Sequence, residues 1–337
     1  MPTTPHSPAV RLTEHALAYL HSAALRAAAL LGVADHLADG PRTAEELAAA
    51  TGSDAAHLRR ALRLLATREV FREDETGAFH LTPAADPLRS DAPSSLRDAV
   101  VMLTDEPFWR PAGQLADTVR RGRTVFEDLF GAPYFGHLER VPEAGAVFDT
   151  GMAGLAESEN GPIAAAYDFP ADGTVVDVGG GRGGLLRQVL LRNPALHGIL
   201  HDQEPVLRHH TLDTPELTGR WQTHPGDFFA AVPPGADVYL LKRILHDWSD
   251  DDCVRILRAC RTAMTRPGSR LLAIDAVVPA GNAPHPGKTM DILMMTSLDG
   301  RERDEPAFHR LLTAAGLEPS RTLATDSTLS IVEAVVA

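Results

Sequence analysis

The feature that most constrains this chain is an apolar run that passes an acid and opens into a glycine-rich turn: Val175-Val176-Asp177-Val178-Gly179-Gly180-Gly181-Arg182-Gly183-Gly184. The run reads as a strand and residues 185–191 as the helix that follows. Glycine lets the backbone take positive φ and approach a ligand closely. The start of the helix adds N–H groups that have no intrahelical partner. Such a turn after a first strand also suits a dinucleotide, so by itself it leaves the ligand open. The spacing narrows the choice, because Asp177, Gly179, Gly181 and Gly183 fall at alternate positions. A carboxylate at this strand edge disfavours a pyrophosphate and suits a ligand with a cationic amino group. S-adenosylmethionine carries that group and a sulfonium.

From Gly173 onward, short apolar runs alternate with amphipathic stretches, at 174–178, 197–201, 238–241, 271–276 and 329–336. This alternation predicts a parallel α/β sheet. A second strand ends near Asp202, about 20 residues on, where an acid takes both ribose hydroxyls; the bland alternative is a solvated turn acid. In Gly226-Asp227-Phe228-Phe229, Asp227 is placed to accept from an adenine amino group and Phe228 to lie against the ring. A loop acid beside core aromatics is the alternative there. His246 lies just past the run that ends at Leu241. Open α/β sheets put their ligands at such strand ends. A neutral imidazole there suits taking the proton of an attacking alcohol or phenol. With 15 histidines in the chain, a histidine chosen at random is structural.

The N-terminal part reads differently. Residues 1–10 are expected to be a disordered tail, and 12–37 a helix with Leu17, Leu20, Ala24, Leu25, Ala28 and Leu31 at helical spacing. Arg26 is its only charge between Ala16 and Ala34, so the helix is apolar on more than one face, which favours a subunit contact. Residues 42–82 give a winged-helix outline. Thr43 and Glu46 form a capping box, Thr51-Gly52 turn the chain, Ser53 or Asp54 caps a second helix through Thr67, and a hairpin follows. DNA contact would fall to Arg59, Arg60 and Arg63. Against it, Glu69, Glu73, Asp74 and Glu75 sit where a wing would meet phosphate, and 45 acidic against 32 basic residues give a net charge of −13. Such a surface repels nucleic acid and anionic lipid. Residues 94–168 read as helices broken by Pro107, Pro111, Pro133 and Pro142. Phe108, Trp109, Phe126, Phe130, Tyr134, Phe135 and Phe148 concentrate here in a chain only 5% aromatic, so they fill a helical core or line an apolar pocket. The expected divisions are 1–92, 93–168 and 169–337.

Cys253 and Cys260 lie on one expected helix face, roughly 10 Å apart along its axis, too far for a relaxed disulfide. Buried thiols in a reducing compartment are expected. Residues 1–8 show no charged-then-apolar leader pattern, and no apolar run reaches transmembrane length. The expectation is a cytoplasmic protein. No His/Cys/Asp spacing fits a metal site, so a metal-free mechanism is expected.

Three segments in order, Gly179-Gly180-Gly181-Arg182-Gly183, Gly226-Asp227-Phe228-Phe229 and Leu245-His246-Asp247-Trp248, resemble the S-adenosylmethionine-dependent O-methyltransferases of the plant caffeate type. Bacterial antibiotic- and polyketide-pathway members are the nearer match, and the resemblance covers nearly the whole chain. It implies an α/β fold, a Rossmann-like methyltransferase sheet behind an N-terminal helical and winged-helix dimerisation domain, and a homodimer. It implies S-adenosylmethionine as cofactor, S-adenosylhomocysteine as product, and a hydroxyl of a small aromatic natural product as acceptor. His246 becomes the general base, with Asp275 and Glu302 as the two acids around it. The implied cofactor set is Ser158, Asp177, Gly179, Gly181, Asp202, Asp227, Phe228 and Lys242, with Ser158 on the carboxylate. Met152, Trp109, Asp291, Met294 and Met295 would border the substrate, although core filling serves the methionines equally well. Asp247 and Trp248 read as structural, bracing the strand end and covering the adenine side. The segment His201-Asp202-Gln203-Glu204-Pro205 departs from the family, which often has an apolar residue before the acid and Leu-Pro after it. Two other readings are weighed: a relative that binds the cofactor but hydroxylates or decarboxylates, against which the set of His246, Asp275 and Glu302 argues, and a winged-helix DNA-binding regulator. Transfer to nitrogen is not separated from transfer to oxygen.

Overall fold

A computed structural model describes residues 7–337. The part of the expected tail at 1–6 lies outside the described residues. Its remainder is helical, because the Ser7 hydroxyl accepts from Val10 N and caps a helix over Pro8–Ala16. The chain divides into two compact units, one of residues up to Glu106 with Ala146–Gly154, the other of Pro107–Gly145 with Leu155–Ala337. The region 93–168 is therefore shared between them.

In the first unit the single helix expected over 12–37 is three: Pro8–Ala16, Tyr19–Leu30 and Val33–His36. At the first break the backbone tightens to i→i+3 bonds, Ala18 N to His15 O and Leu20 N to Leu17 O. At the second, Gly32 takes φ +62°, a conformation other residues adopt only at a cost. Leu12, Leu17, Tyr19, Leu20 and Leu30 stay exposed along these helices. The Thr43–Glu46 capping box forms as expected and starts helix Ala44–Thr51. Asp54 caps helix Ala55–Ala66, whose Leu58, Leu62 and Leu65 point into the core with Leu47, Phe71 and Phe79. Strands β1 (Arg42–Thr43), β2 (Phe71–Glu73) and β3 (Ala78–Leu81) form a small sheet in the order β1-β3-β2. Arg59 pairs with Glu45, and Arg63 grips both oxygens of Glu73.

The second unit is built on a seven-stranded sheet. Its strands are β4 (Gly173–Val178), β5 (Leu196–Asp202), β6 (Trp221–Pro225), β7 (Val238–Lys242), β8 (Arg270–Asp275), β9 (Leu317–Ala324) and β10 (Ser330–Val336), in the order β6-β5-β4-β7-β8-β10-β9. The first five positions are parallel, but β10 runs antiparallel to both β8 and β9, which corrects the expectation of a parallel sheet throughout. β6 and β9 carry no apolar run because they are edges; the side chains of β6 from Gln222 onward face solvent. β4 shows the opposite pattern, with Val175, Val176 and Val178 sealed on both faces, as a central parallel strand requires. Helix Gly184–Arg192 lays Leu185, Leu186, Val189 and Leu190 on the core. Helix Asp250–Ala263, capped by Ser249, buries Cys253, Ile256, Leu257 and Cys260, and both thiols are free. From β4 the chain order runs outward to β5 and β6 on one side and to β7 and β8 on the other. The end of β4 is thus the switch point at which open α/β sheets bind ligands.

Candidate active site

The glycine turn forms the floor of the site. Gly179 has φ +67°, and a Cβ on it would stand 2.5 Å from Ile244 Cδ1 and 3.4 Å from the Phe228 ring. The bare backbone is what lets those two side chains close on the turn. Gly181 has φ +58°, and no atom lies within 4 Å of where its Cβ would stand, so a side chain there would fill the open space above the turn. Its N–H donates to Asp202 Oδ2 at 2.8 Å, which holds that carboxylate beside the turn. Gln203 N donates to the other oxygen at 2.7 Å. Asp227 is exposed and accepts from Phe229 N at 2.8 Å. Phe228 and Phe229 lie with ring centres 5.0 Å apart, and Phe229 meets Trp248 edge-on at 4.7 Å. Open backbone, a carboxylate and an aromatic wall in this order fit S-adenosylmethionine, whose ribose needs an acceptor and whose adenine needs an apolar face.

Asp177 takes a place of its own. It is buried, and its carboxylate packs against Gly180, where a Cβ would meet it at 2.6 Å. Burial pushes its pKa up to about 7, against the pull of Lys242. Lys242 donates to Asn160 Oδ1 at 2.8 Å and pairs with Glu159 at 3.1 Å. Glu159 also receives Arg243 through Nε and Nη2, at 3.1 and 2.5 Å. Ser158 is exposed, and its hydroxyl donates to Leu155 O within its own helix.

Beyond β7 the chain turns sharply. Arg243 sits at φ +54°, its N–H held by Ile274 O at 3.0 Å. A non-glycine residue there is strained and needs a surrounding structure to hold it. The Glu159 pair provides that hold. A short 3₁₀ turn, Leu245–Asp247, then carries His246, which is only 4% exposed. Glu302 Oε1 lies 2.8 Å from His246 Nδ1, and Asp247 Oδ1 lies 3.4 Å from Nε2. Asp275 is buried with neither oxygen hydrogen-bonded, and its charge acts on the same imidazole. Burial alone would lower the imidazole pKa, but the charges of Asp247 and Asp275 and the Glu302 hydrogen bond outweigh it and raise it to about 9. Burial and the nearby Glu302 charge lift Asp275 to about 7 and Asp247 to about 6, against the pull of His246. The cluster therefore holds protons tightly, and a neutral acid at this site can donate as well as accept.

Asp291 accepts from Glu302 N at 2.9 Å, which fixes the backbone that presents the acid. Met294 is buried and Met295 half-buried on the same helix, Pro286–Ser297. Trp109 is 61% exposed. Met152 belongs to the first unit. The fold thus gathers His246, Glu302, Asp275 and Asp291 in one cluster, and the glycines, Asp202 and Phe228 in another. The sequence reading did not single out Asp247 as a partner of the imidazole, nor Glu159, Arg243 and Arg303 at all. Three of these four stand in or beside charged strings that look solvated, and their burial comes from long-range packing. Among the described residues, no cluster of His, Cys, Asp or Glu is set to hold a metal, and no helix is long and apolar enough to cross a membrane.

The chain is also similar to known proteins along most of its length. The family model for an O-methyltransferase domain matches residues 112–318, and that for an O-methyltransferase dimerisation domain matches residues 13–91. The chain is 42% identical to the phenazine O-methyltransferase PhzM of Lysobacter antibioticus, over 94% of this chain and 93% of that one. It is 39% identical to a mitomycin biosynthesis 6-O-methyltransferase of Streptomyces lavendulae, over 89% of this chain and 86% of the other. Among solved structures, CalO1, a methyltransferase of calicheamicin biosynthesis with S-adenosylhomocysteine bound, superposes with a TM-score of 0.90 at 47% identity, covering 99% of this chain and all of that one (100%). The glycine floor, the acids beside it and these matches at both ends of the chain lead to one conclusion: the protein belongs to the S-adenosylmethionine-dependent O-methyltransferases.

Proposed function

We propose that this enzyme methylates a phenolic hydroxyl of a small aromatic natural product, with His246 as general base. The observation that carries the reading is the buried 2.8 Å contact between His246 Nδ1 and Glu302. With Nδ1–H donating to Glu302, Nε2 is the ring nitrogen left to take the proton of the acceptor hydroxyl. Asp275 and Asp247 stabilise the imidazolium that forms. Bound S-adenosylmethionine supplies a methyl group on a sulfonium. Gly179, Gly181, Asp202, Asp227 and Phe228 hold that cofactor, and Lys242 and Asp177 brace the turn from beneath. Met294 and Met295, with Asp291 behind Glu302, border the acceptor. The names of the relatives, with phenazine and mitomycin among them, support an antibiotic-type aromatic acceptor. The dimerisation domain and the exposed leucines of the N-terminal helices support a homodimer. Arg59 and Arg63 are engaged by acids of their own unit, which supports a packing role for the winged helix over nucleic-acid contact.

The test is methyl transfer from isotope-labelled S-adenosylmethionine to a panel of phenols and anilines, read by mass spectrometry for wild type and His246→Ala. A labelled phenol ether formed by the wild type, and turnover ~10²–10⁴-fold lower in the variant, are expected. Near-normal turnover in the variant would remove the base. Label found only on nitrogen would remove the phenolic acceptor.

A further inference from the structure

Arg303 is among the largest side chains fully withdrawn from solvent. Its Nη1 donates to Leu245 O at 2.6 Å and to Arg301 O at 3.2 Å. Nη2 donates to Trp248 O at 2.9 Å, and Nε and Nη2 both reach Asp250 Oδ1, at 3.1 and 2.8 Å. Leu245 opens the turn that carries His246, and Trp248 caps its far end. The backbone of Arg303 is fixed as well, since its carbonyl accepts from Val278 N at 2.9 Å, just beyond Asp275. The preceding residue is Glu302, the acid on the imidazole. Gly300 closes the same loop on the turn from another side: a Cβ there would stand 1.9 Å from His246 O and 2.5 Å from the Asp247 carbonyl carbon. One loop therefore presents the acid, lies flat against the turn and grips both of its ends.

We propose that Arg303 is a positioning residue for the reaction: its guanidinium locks the Leu245–Asp247 turn against its own loop, so that His246 Nδ1 stays within hydrogen-bond reach of Glu302. The inference rests on the reading of His246 as the base. The chemistry calls for arginine in particular. A planar fork of five N–H groups reaches two carbonyls on one side and a carboxylate on the other, which a lysine ammonium cannot span. A guanidinium buried this far needs a counter-charge, and half-exposed Asp250 supplies it. Loosening the grip changes the imidazole itself, because the Glu302 hydrogen bond is one of the interactions that raise its pKa.

The test uses the full-length enzyme carrying Arg303→Lys, with histidine labelled for NMR. The His246 signal is identified by its absence from His246→Ala and followed through a pH titration. In Arg303→Lys it is expected to titrate about one pH unit lower than in wild type, as a weakened opposite-charge contact requires. Turnover should fall ~10²-fold, with its rising pH limb moved to lower pH by the same amount, while calorimetry finds S-adenosylhomocysteine bound within twofold of wild type. A merely structural role would lower activity evenly across pH and leave the His246 titration in place, and that result overturns the proposal. If Arg303→Lys fails to fold, Asp250→Asn leaves the guanidinium and removes the acid that aims it. The same shift in smaller measure is then expected, and its absence overturns the proposal equally. Full turnover in His246→Ala would sink the base alone, because the NMR titration still decides whether Arg303 positions the imidazole.

Discussion

At the scale of single residues, the site is governed by how many protons a small buried volume can hold. One imidazole faces three carboxyl groups, from its own turn, from the end of β8 and from the loop at 302. With its pKa raised to about 9, the His246 imidazole is mostly cationic at pH 7. Only the neutral form accepts a proton, so kcat/KM should rise with pH until that pKa is passed, then level off. A pH–rate profile with its limb far below that raised value, at pH 6 or lower, would show that the acceptor arrives already ionised. Binding of a cationic cofactor favours loss of the proton, so the limb in kcat should lie below that in kcat/KM. Asp202 belongs to the other cluster. Asp202→Ala should weaken S-adenosylhomocysteine binding by ~1.5–3 kcal/mol, the worth of a charge-assisted hydrogen bond. Unchanged affinity by calorimetry would remove Asp202 from the cofactor site.

At the scale of elements, the turn after β4 makes two separable demands on glycine. Gly179→Ala forces an alanine into the left-handed region, which costs ~1–2 kcal/mol, and drives its Cβ into Ile244. Its melting temperature should drop clearly even without ligand. Gly181→Ala meets only the backbone cost, since nothing stands near its Cβ. It should melt closer to wild type yet lose S-adenosylhomocysteine affinity, because the methyl occupies the floor. Equal losses of both quantities in the two variants would contradict this division. The same turn was legible in the sequence because its chemistry is local: an apolar strand, alternating glycines and a helix leave their mark on neighbouring positions. His246 and Asp202 were legible for the same reason, as polar residues at the ends of apolar runs. β6 and β9 were not, since edge strands need no apolar alternation and have little. Arg303 was hidden more deeply. In Arg301-Glu302-Arg303 three adjacent charges read as a solvated loop, yet Arg301 faces outward while its neighbours are buried. No spacing rule announces that a guanidinium will find two carbonyls more than fifty positions earlier in the chain. The break of the first helix at Gly32 could have been read from that glycine; the break at Leu17 and Ala18 has no such marker.

At the scale of the whole molecule, what stands out is the surface of the first helices. Leu12 is 71% exposed, Tyr19 66% and Leu30 55%, along a segment with almost no charge. In the proposed homodimer these helices are shared between two copies, so folding and pairing become one equilibrium and stability obeys mass action. The melting temperature should then climb with protein concentration, each tenfold dilution removing ~1.4 kcal/mol per mole of dimer at 25 °C. Scanning calorimetry over a hundredfold concentration range reads this directly, and a flat melting temperature would mean that no second copy contributes to the fold. Charged substitutions at Leu12 and Tyr19 should flatten the slope while leaving His246 and the glycine floor intact. Expression level would then set how long each molecule survives as well as how many are made: a scarce enzyme of this kind would be a fragile one.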